Sequence, residues 1–534
     1  MQRRDVPRFR RVLLYHRRRA QRHRWPGDEL RRDGARRRRA KMADAFPAAV
    51  AETDIVSLAA KAGWVEMTSG VPRGIAVVDI GATNSKVALF DAGLQEIARR
   101  KTDTVHHEGP PYRHVDAQRI VEFAVGAISE LDRVLPADVI VVSAFGSTLG
   151  CVDEAGELAT PIMDYLAEPP AEIVEGYAKI APPFAETFCN TWPAALSLGK
   201  QLFWLETAFP GAFARVRSIM TWSQYLAFRL GGRKTCEVTA LGAFSQLLDV
   251  LKGEFSSVVQ QRGWVDRFAP LARAWEDIGE LKREFRSPAF SGRGRILCGV
   301  HDSDANYLRY LAAGLNELAL LSTGTFIIGF ESQADILRLD PDRETFSFSN
   351  VFGRPIGCCG FFGGGEFDKL LAGASPSAAS ATDIEAIIAR SVFALPSFSD
   401  TGGPVAGSGN RGRIEGPFSG TPAERASLAT LYTALMTSEA LDALESRSPI
   451  VIDGPFARND LFCSLLAALR PRQRVSSSLL QEGTAAGAAV LALMNPAGDL
   501  PERRVDLKSH APGEFVGLRH YQSTWQAKAR AAAR

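Results

Sequence analysis

Gly74 to Phe90 reads GIAVVDIGATNSKVALF. An apolar run of strand type ends on Asp79, the chain turns through Ile80-Gly81-Ala82, and Thr83, Asn84, Ser85 and Lys86 precede a second apolar run. Two such runs joined by a short polar glycine turn predict a β-hairpin. The turn offers a phosphate its backbone N–H groups and hydroxyls, with a lysine for the charge and an aspartate for a metal. It is neither of the usual helix-terminus phosphate loops: no G-x-x-x-x-G-K-[ST] occurs, and no G-x-G-x-x-G opens a helix after this strand. An ordinary hairpin at the start of a domain and a phosphate cradle both fit the segment alone.

Further along, Ala117 to Val134 has helical apolar spacing through Ile120, Phe123, Ala124, Ile128 and Leu131. Asp138 to Ala144, DVIVVSA, reads as a buried strand running into Phe145-Gly146-Ser147-Thr148. Such alternation implies a central sheet covered on its faces. One long helical stretch is expected from Trp192 to Leu230. Near residue 297 the pattern restarts, with a strand from Ile296 to His301 ending at Asp302. Leu318 to Phe330, LALLSTGTFIIGF, then repeats the logic of the opening hairpin around Gly324. Two half-chains, each with a phosphate-type hairpin near its start, predict a duplicated α/β fold with a cleft between lobes. Gly402 to Thr421 reads as surface loop, Ala423 to Leu444 as helix, and Ile450 to Ile452 as a strand ending at Asp453-Gly454. The polar tail from about Pro496 is expected to wrap or fray.

At 534 residues, 46% apolar and 23% charged, the chain has a globular composition and room for two or more domains. Its formal net charge of +3 hides an asymmetry: residues 1–42 hold 16 Arg and 1 Lys against 4 acidic residues, a net of +13, which leaves −10 for the rest. A mildly acidic body excludes a nucleic-acid groove in the core and suits a cytoplasmic enzyme. The leader, with Arg36-Arg37-Arg38-Arg39, is too polar to bury a core and is expected to be disordered over 1–66. A basic tail for nucleic acid or anionic membrane, an organellar transit peptide, and a segment outside the working protein (which would start at Met42 or Met67) are the readings it allows. Seven scattered cysteines without a C-x-x-C pair read as reduced thiols, not as a disulfide frame or zinc site. No run of about 18 apolar residues occurs, so no membrane span is expected.

Residues 74–93, 296–330 and 450–493 together resemble the FGGY carbohydrate kinases of the sugar kinase–Hsp70–actin superfamily. The first hairpin is similar to that family's phosphate-1 element, and LLSTGTFIIGF (320–330) to its phosphate-2 element. VIDGPFARNDLFCSLLAALRPRQRV, continuing to EGTAAGAAVLAL (451–493), resembles its adenosine element and closing alanine-rich helix. The resemblance implies two actin-like (ribonuclease H-like) lobes with a central cleft, 67–295 holding sugar and phosphate and 296–534 holding base and nucleotide. It also implies ATP and Mg²⁺, a small-molecule sugar substrate, and leaves a homodimer open.

On this resemblance Asp79 holds the metal, and Gly81, Thr83, Asn84, Ser85 and Lys86 face Thr323, Gly324 and Thr325 across the phosphates. Gly454 and Asn459 hold the nucleotide; Pro455 stands where the family carries a second glycine, removing one N–H. GVHDSDANYL (299–308) resembles the strand-to-helix element that carries the base. Asp302 following His301 matches the rhamnulokinase-like and fuculokinase-like branch, with a ketose or deoxyketose as acceptor. A carboxylate within hydrogen-bond reach can take the hydroxyl proton. Asp304, the competitor, is expected to cap the following helix. Ser147, Thr148, Asp164, Tyr165 and His301 are the expected sugar contacts, although the glutamine-methionine-histidine and tryptophan-asparagine-aspartate patterns of the family are absent. Trp222, Glu237 and Thr239 fall in its other sugar-proximal region, where Trp222 reads as a core aromatic. Gly363-Gly364-Gly365 offers close backbone approach to a nucleotide or a flexible turn. His106, His107 and His114 read as solvated loop residues. A sugar- or nucleotide-binding regulator of the same fold without turnover is the alternative function.

Overall fold

The computed structural model describes residues 70–480 and 483–533, so the disordered leader expected over 1–66 lies outside the described residues. One seven-stranded sheet belongs to the N-terminal half. Its strands are β1 (Gly74–Ile80), β2 (Asn84–Asp91), β3 (Glu96–Asp103), β4 (Ala137–Ala144), β5 (Asp277–Glu280), β6 (Arg295–Leu297) and β7 (Val300–His301). They run in the order β5-β6-β4-β1-β2-β3, with β7 also on β4. β1 and β2 form the predicted antiparallel hairpin, which sets Asp79 opposite Lys86, and β1 lies parallel to β4. Every residue of β1 and β4 is buried, as central strands covered on both faces must be.

The two faces are covered by different parts of the chain. Ala76, Val78 and Ile80 share a core with α1 (Ala117–Asp132), whose Ile120, Ala124, Ile128 and Leu131 form the inward stripe. Asp116 caps that helix by accepting the Arg119 N–H at 3.0 Å. On the opposite face, Ile75 and Val77 pack with residues of two helices from later in the chain, Ala305 and Leu308 on one and the alanine-rich stretch Ala485 to Ala489 on the other.

The second half builds a second seven-stranded sheet: β8 (Ala319–Thr323), β9 (Ile327–Glu331), β10 (Thr345–Ser349), β11 (Pro355–Phe361), β12 (Ile450–Asp453), β13 (Val475–Ser478) and β14 (Leu507–His510), ordered β10-β11-β9-β8-β12-β13-β14. The β8–β9 hairpin is antiparallel and β8 is parallel to β12, the same relation that β1 has to β2 and β4. The inexact echo in sequence is therefore a repeated topology.

Several expectations needed correction. The helical stretch from Trp192 to Leu230 is broken: α2 (Leu198–Ala208) and a turn of helix at Pro210–Phe213 give way to a strand, Ser218–Thr221, before α3 (Trp222–Leu230). That strand pairs with Leu149–Val152, so tertiary pairing overrides the local helical pattern. The expected strand 296–301 is two strands, and both pair with β4 of the first sheet; the residues leading to Asp302 thus extend the N-terminal sheet, not the second lobe. Of the two expectations for the tail, wrapping holds and fraying does not: β14 closes the edge of the second sheet and a terminal helix, Leu518–Ala532, buries Tyr521 and Trp525. The loop 402–421 contains a short strand, Arg413–Glu415, paired with Phe393–Leu395.

Gly299 is the break between β6 and β7. Its φ is +88°, and a Cβ there would stand 2.3 Å from the Val142 carbonyl oxygen. Gly299→Ala is expected to cost about 1–3 kcal/mol, from backbone strain at a left-handed position. A lowered urea midpoint for unfolding would show it; an unchanged midpoint would refute it.

Candidate active site

The ends of β1, β4 and β7 lie side by side, Ile80 accepting the Phe145 N–H at 3.0 Å. Ligands of open α/β sheets bind at such carboxyl ends. In the first turn, Lys86 Nζ lies 3.0 Å from Asp79 Oδ2, so the expected metal carboxylate and phosphate lysine are already paired. Thr83 is exposed, and Gly81 and Asn84 are half-buried. Ser85 differs from its expected role: it is fully buried, with Oγ 2.8 Å from Thr104 Oγ1, so its hydroxyl supports the turn from within. Thr104 also donates to the Gly81 carbonyl at 2.7 Å.

His106 corrects the reading of a solvated loop. It lies in a short strand, with Nε2 2.8 Å from the Ala82 carbonyl and Nδ1 2.7 Å from Asp164 Oδ2. The Asp164 carboxylate at that distance outweighs burial and raises its pKa above the ordinary value. Asp164, expected to meet sugar, is only 1% exposed and already committed. It accepts Arg113 Nε at 2.7 Å and the Leu166 N–H at 2.8 Å, and is in ion-pair contact with His106. Burial pushes its carboxyl up, but His106, the Leu166 amide and Arg113 together hold it below the ordinary value. Asp164 therefore ties the first turn to the substrate-side loop. Tyr165, beside it, is only half-buried and within electrostatic reach of Asp302; burial, with those carboxylates, pushes its phenol up to about 12.

Around the candidate base Asp302 lies a largely buried cluster of titratable side chains. α4 (Val238–Gly242) precedes it and α5 (Asp302–Ala312) follows β7. Asp302, whose side chain is 31% exposed, opens α5. Asp304 is not the cap that was expected: it is buried, with Oδ2 2.9 Å from His301 Nδ1. His301 is itself 2% exposed, a second-layer group and not the surface sugar contact expected of it. Its N–H donates to Thr239 Oγ1 at 3.0 Å, and the Thr239 hydroxyl donates to Glu237 Oε2. Burial pushes the Glu237 carboxyl up to about 8 and Asp304 up to about 6. Gly146 lies against the ring: a Cβ there would be 2.8 Å from His301 Nε2. Ser147 and Thr148, from the same loop, are buried, and the Ser147 carbonyl accepts Gln201 Nε2 at 2.7 Å. Trp222 is a core aromatic, stacked on Tyr225 at 5.8 Å.

The second turn joins the nucleotide turn directly. Thr323 Oγ1 donates to the Asp453 carbonyl and accepts the Phe456 N–H at 3.1 Å, so its hydroxyl fastens two turns together. Thr325 is exposed and Gly324 half-buried. Gly454 has φ +89°, and a Cβ there would stand 2.0 Å from the Thr323 carbonyl. Asn459 caps the helix Asp460–Leu469 through Oδ1, 3.0 Å from the Phe462 N–H, leaving its amide nitrogen outward of that role. Gly363-Gly364-Gly365 opens the helix Gly363–Leu371, and its close approach is to protein backbone: a Cβ on Gly364 would be 2.1 Å from the Gly324 carbonyl.

Sequence reasoning missed Arg309 and the carboxylate of Asp453. Arg309 NH2 is 3.1 Å from Asp453 Oδ2, Tyr310 donates to the same oxygen at 2.8 Å, and Asp453 Oδ1 accepts the Gly454 N–H at 2.7 Å. Both partners of the ion pair are under 10% exposed. An arginine seven residues after Asp302, on a helix, and an aspartate before a glycine turn were visible in sequence; their meeting was not.

Residues 75–305 match the N-terminal domain of the FGGY family of carbohydrate kinases, and residues 316–501 match the carbohydrate kinase FGGY C-terminal domain. The chain belongs to the FGGY carbohydrate kinases and is a phosphotransferase of two actin-like lobes. Among solved structures it is similar to a carbohydrate kinase from Novosphingobium aromaticivorans, at 29% identity and a TM-score of 0.76 over 85% of this chain and 100% of that one. Similar folds also occur in the gluconate kinase from Lactobacillus acidophilus (17% identity, TM-score 0.71, 86% and 98% covered) and the glycerol kinase from Plasmodium falciparum with ADP (15%, 0.68, 86% and 98%). No curated protein matches by sequence. No described helix is long and apolar enough to cross a membrane.

Two outcomes follow from this geometry. The raised histidine makes the His106–Asp164 contact contribute fully below the unfolded value of 6.5, and its contribution is lost as pH rises through the elevated folded value. His106→Asn should therefore cost about 1.5–3 kcal/mol near pH 6 and clearly less near pH 9 in urea titrations. Arg309→Met leaves Asp453 buried without its cation and should cost about 3–5 kcal/mol, part of which Arg309→Met/Asp453→Asn regains.

Proposed function

We propose that the enzyme transfers the γ-phosphate of ATP to a hydroxyl of a ketose or deoxyketose of the rhamnulose or fuculose kind, with Asp302 as general base. The observation that carries this reading is the position of Asp302: a partly exposed carboxylate at the carboxyl end of the first sheet, backed by the buried His301 and close to Tyr165. Phosphoryl transfer asks the protein chiefly to position reactants and neutralise charge. The Gly81–Lys86 turn, with the exposed Thr83 and the Lys86 ammonium, receives the terminal phosphates from one lobe, and the Gly324–Thr325 turn from the other. Gly454 and the Asn459 amide flank the nucleoside. Tyr165 and the backbone around Gly146 to Thr148 meet the acceptor, while Asp164 holds that wall in place.

Asp79 fits a Mg²⁺ ion that arrives with the nucleotide, because one carboxylate plus phosphate oxygens and water satisfies so hydrated an ion. When bound, that ion would neutralise charge on the β- and γ-phosphates. Among the described residues no cluster of three or more ligating side chains could hold a metal without the nucleotide. In the transfer itself, the acceptor O–H bond breaks as its oxygen attacks phosphorus, the proton passes to Asp302, and the γ-phosphoryl group leaves ADP. Closure of the lobes over the substrate would exclude water and suppress ATP hydrolysis.

The test is a coupled ADP-release assay over ketoses, aldonates and polyols. Turnover should be found with a ketose, and Asp302→Asn should lower kcat by about 10²- to 10⁴-fold. Absence of turnover with every ketose would overturn the acceptor class, and unchanged activity of Asp302→Asn the base. Binding of ATP and sugar without ADP formation would establish the regulator instead.

A further inference from the structure

Behind Asp302 the protein buries more acid than it has base to match. His301 stands between two aspartates, Nδ1 at 2.9 Å from Asp304 Oδ2 and Nε2 at 3.2 Å from Asp302 Oδ1. An ionised carboxylate only accepts, so the Nδ1 bonded to Asp304 carries a proton, and a second proton on Nε2 makes the contact with Asp302 an ion pair. The Asp302 oxygens are used unequally. Oδ1 also accepts the Ser303 N–H at 2.6 Å and faces the Ser303 hydroxyl at 3.3 Å, whereas Oδ2 has no hydrogen bond among the described residues. One oxygen is anchored and the other is left to act.

The anchor depends on Asp304, which is 1% exposed and has no described partner for Oδ1. The titratable groups facing His301 are Asp302 and Asp304, in the first turn of α5, and Glu237 across Thr239. Phe348 from β10 lies edge-on at 5.5 Å and Gly146 closes the remaining side, neither with a charge. Burial alone would favour the neutral ring, but the Asp302 charge and the Asp304 hydrogen bond outweigh it and raise the His301 pKa.

We propose that Asp304 is a positioning residue for phosphoryl transfer: it holds His301 as an imidazolium that keeps one oxygen of Asp302 in an ion pair, leaving the other for the acceptor hydroxyl. This rests on the kinase reading in which Asp302 is the base. The proton released by the acceptor goes to the free Asp302 oxygen, and His301 keeps both of its protons throughout.

Asp304→Asn preserves size and an oxygen for Nδ1–H but removes the charge. It should lower kcat by about 10- to 100-fold, the scale of a misplaced reacting group, with the KM for ATP within about twofold of wild type. Its kcat should fall with rising pH from a lower pH than in wild type, as the unsupported ring loses its proton. Independently of any sugar, ¹⁵N-histidine NMR of the full chain, with the signal assigned from His301→Gln, should show an imidazolium at pH 7 in wild type and a neutral ring in Asp304→Asn. A neutral ring in wild type would overturn the proposal, as would unchanged kcat and pH profile in Asp304→Asn. Failure of the whole sugar panel would instead strike the kinase assignment, and the wild-type spectrum would still decide the dyad, even should Asp304→Asn not fold.

Discussion

The ion pair between Arg309 and Asp453 is the constraint on which the two halves depend. Arg309 lies on α5, the helix that begins with Asp302 and packs on the first sheet; Asp453 ends β12, a central strand of the second. The same carboxylate holds the Gly454 amide, so α5 and the Gly454 turn share one anchor. Coulomb attraction in a dry site is strong, but so is the desolvation of both ions, and the net gain over an apolar pair is small. Its value here is geometric: an ion pair with a second hydrogen bond from Tyr310 admits one register between helix and turn.

The phosphate turns are supported in a related way, each by hydroxyls spent on backbone. Thr104 and Ser85 brace the first turn from beneath, and Thr323 bolts the second to the nucleotide turn. Hydroxyl-bearing residues in a phosphate motif thus divide into those that face solvent, Thr83 and Thr325, and those that hold the loop rigid. Rigidity matters for the chemistry, because preorganised N–H groups stabilise developing charge without reorganising at the moment of reaction.

How much of this was legible follows from the range of the interactions. Both hairpins, the helix at 422–443 and the β12 turn were readable because alternation, apolar runs and glycine turns are local signals. The strand at 218–221 was not, since its partner lies about 70 residues earlier and its own sequence is equally at home in a helix. The membership of β6 and β7 in the first sheet was hidden for the same reason. In the site, Asp79, Lys86 and Asp302 were singled out as candidates from the chemistry that phosphoryl transfer requires, and the structure pairs the first two. The misread residues are those whose role is set by a neighbour distant in sequence: His106 by Asp164, Arg309 by Asp453, and His301 by Gly146 and Phe348 as much as by Asp304.

The burial around His301 also explains how this chain holds three acids in one place. Asp302, Asp304 and Glu237 surround a single imidazole, and three full charges there would repel strongly at low dielectric. Glu237, fully buried with one oxygen on Thr239, is pushed up to about 8 and so keeps its proton at neutral pH. What remains is two carboxylates on one imidazolium, a net charge of minus one, carried at the first turn of α5. A helix N-terminus favours negative charge at that position. Of the three carboxyl groups at the imidazole, only that of Asp302 reaches solvent.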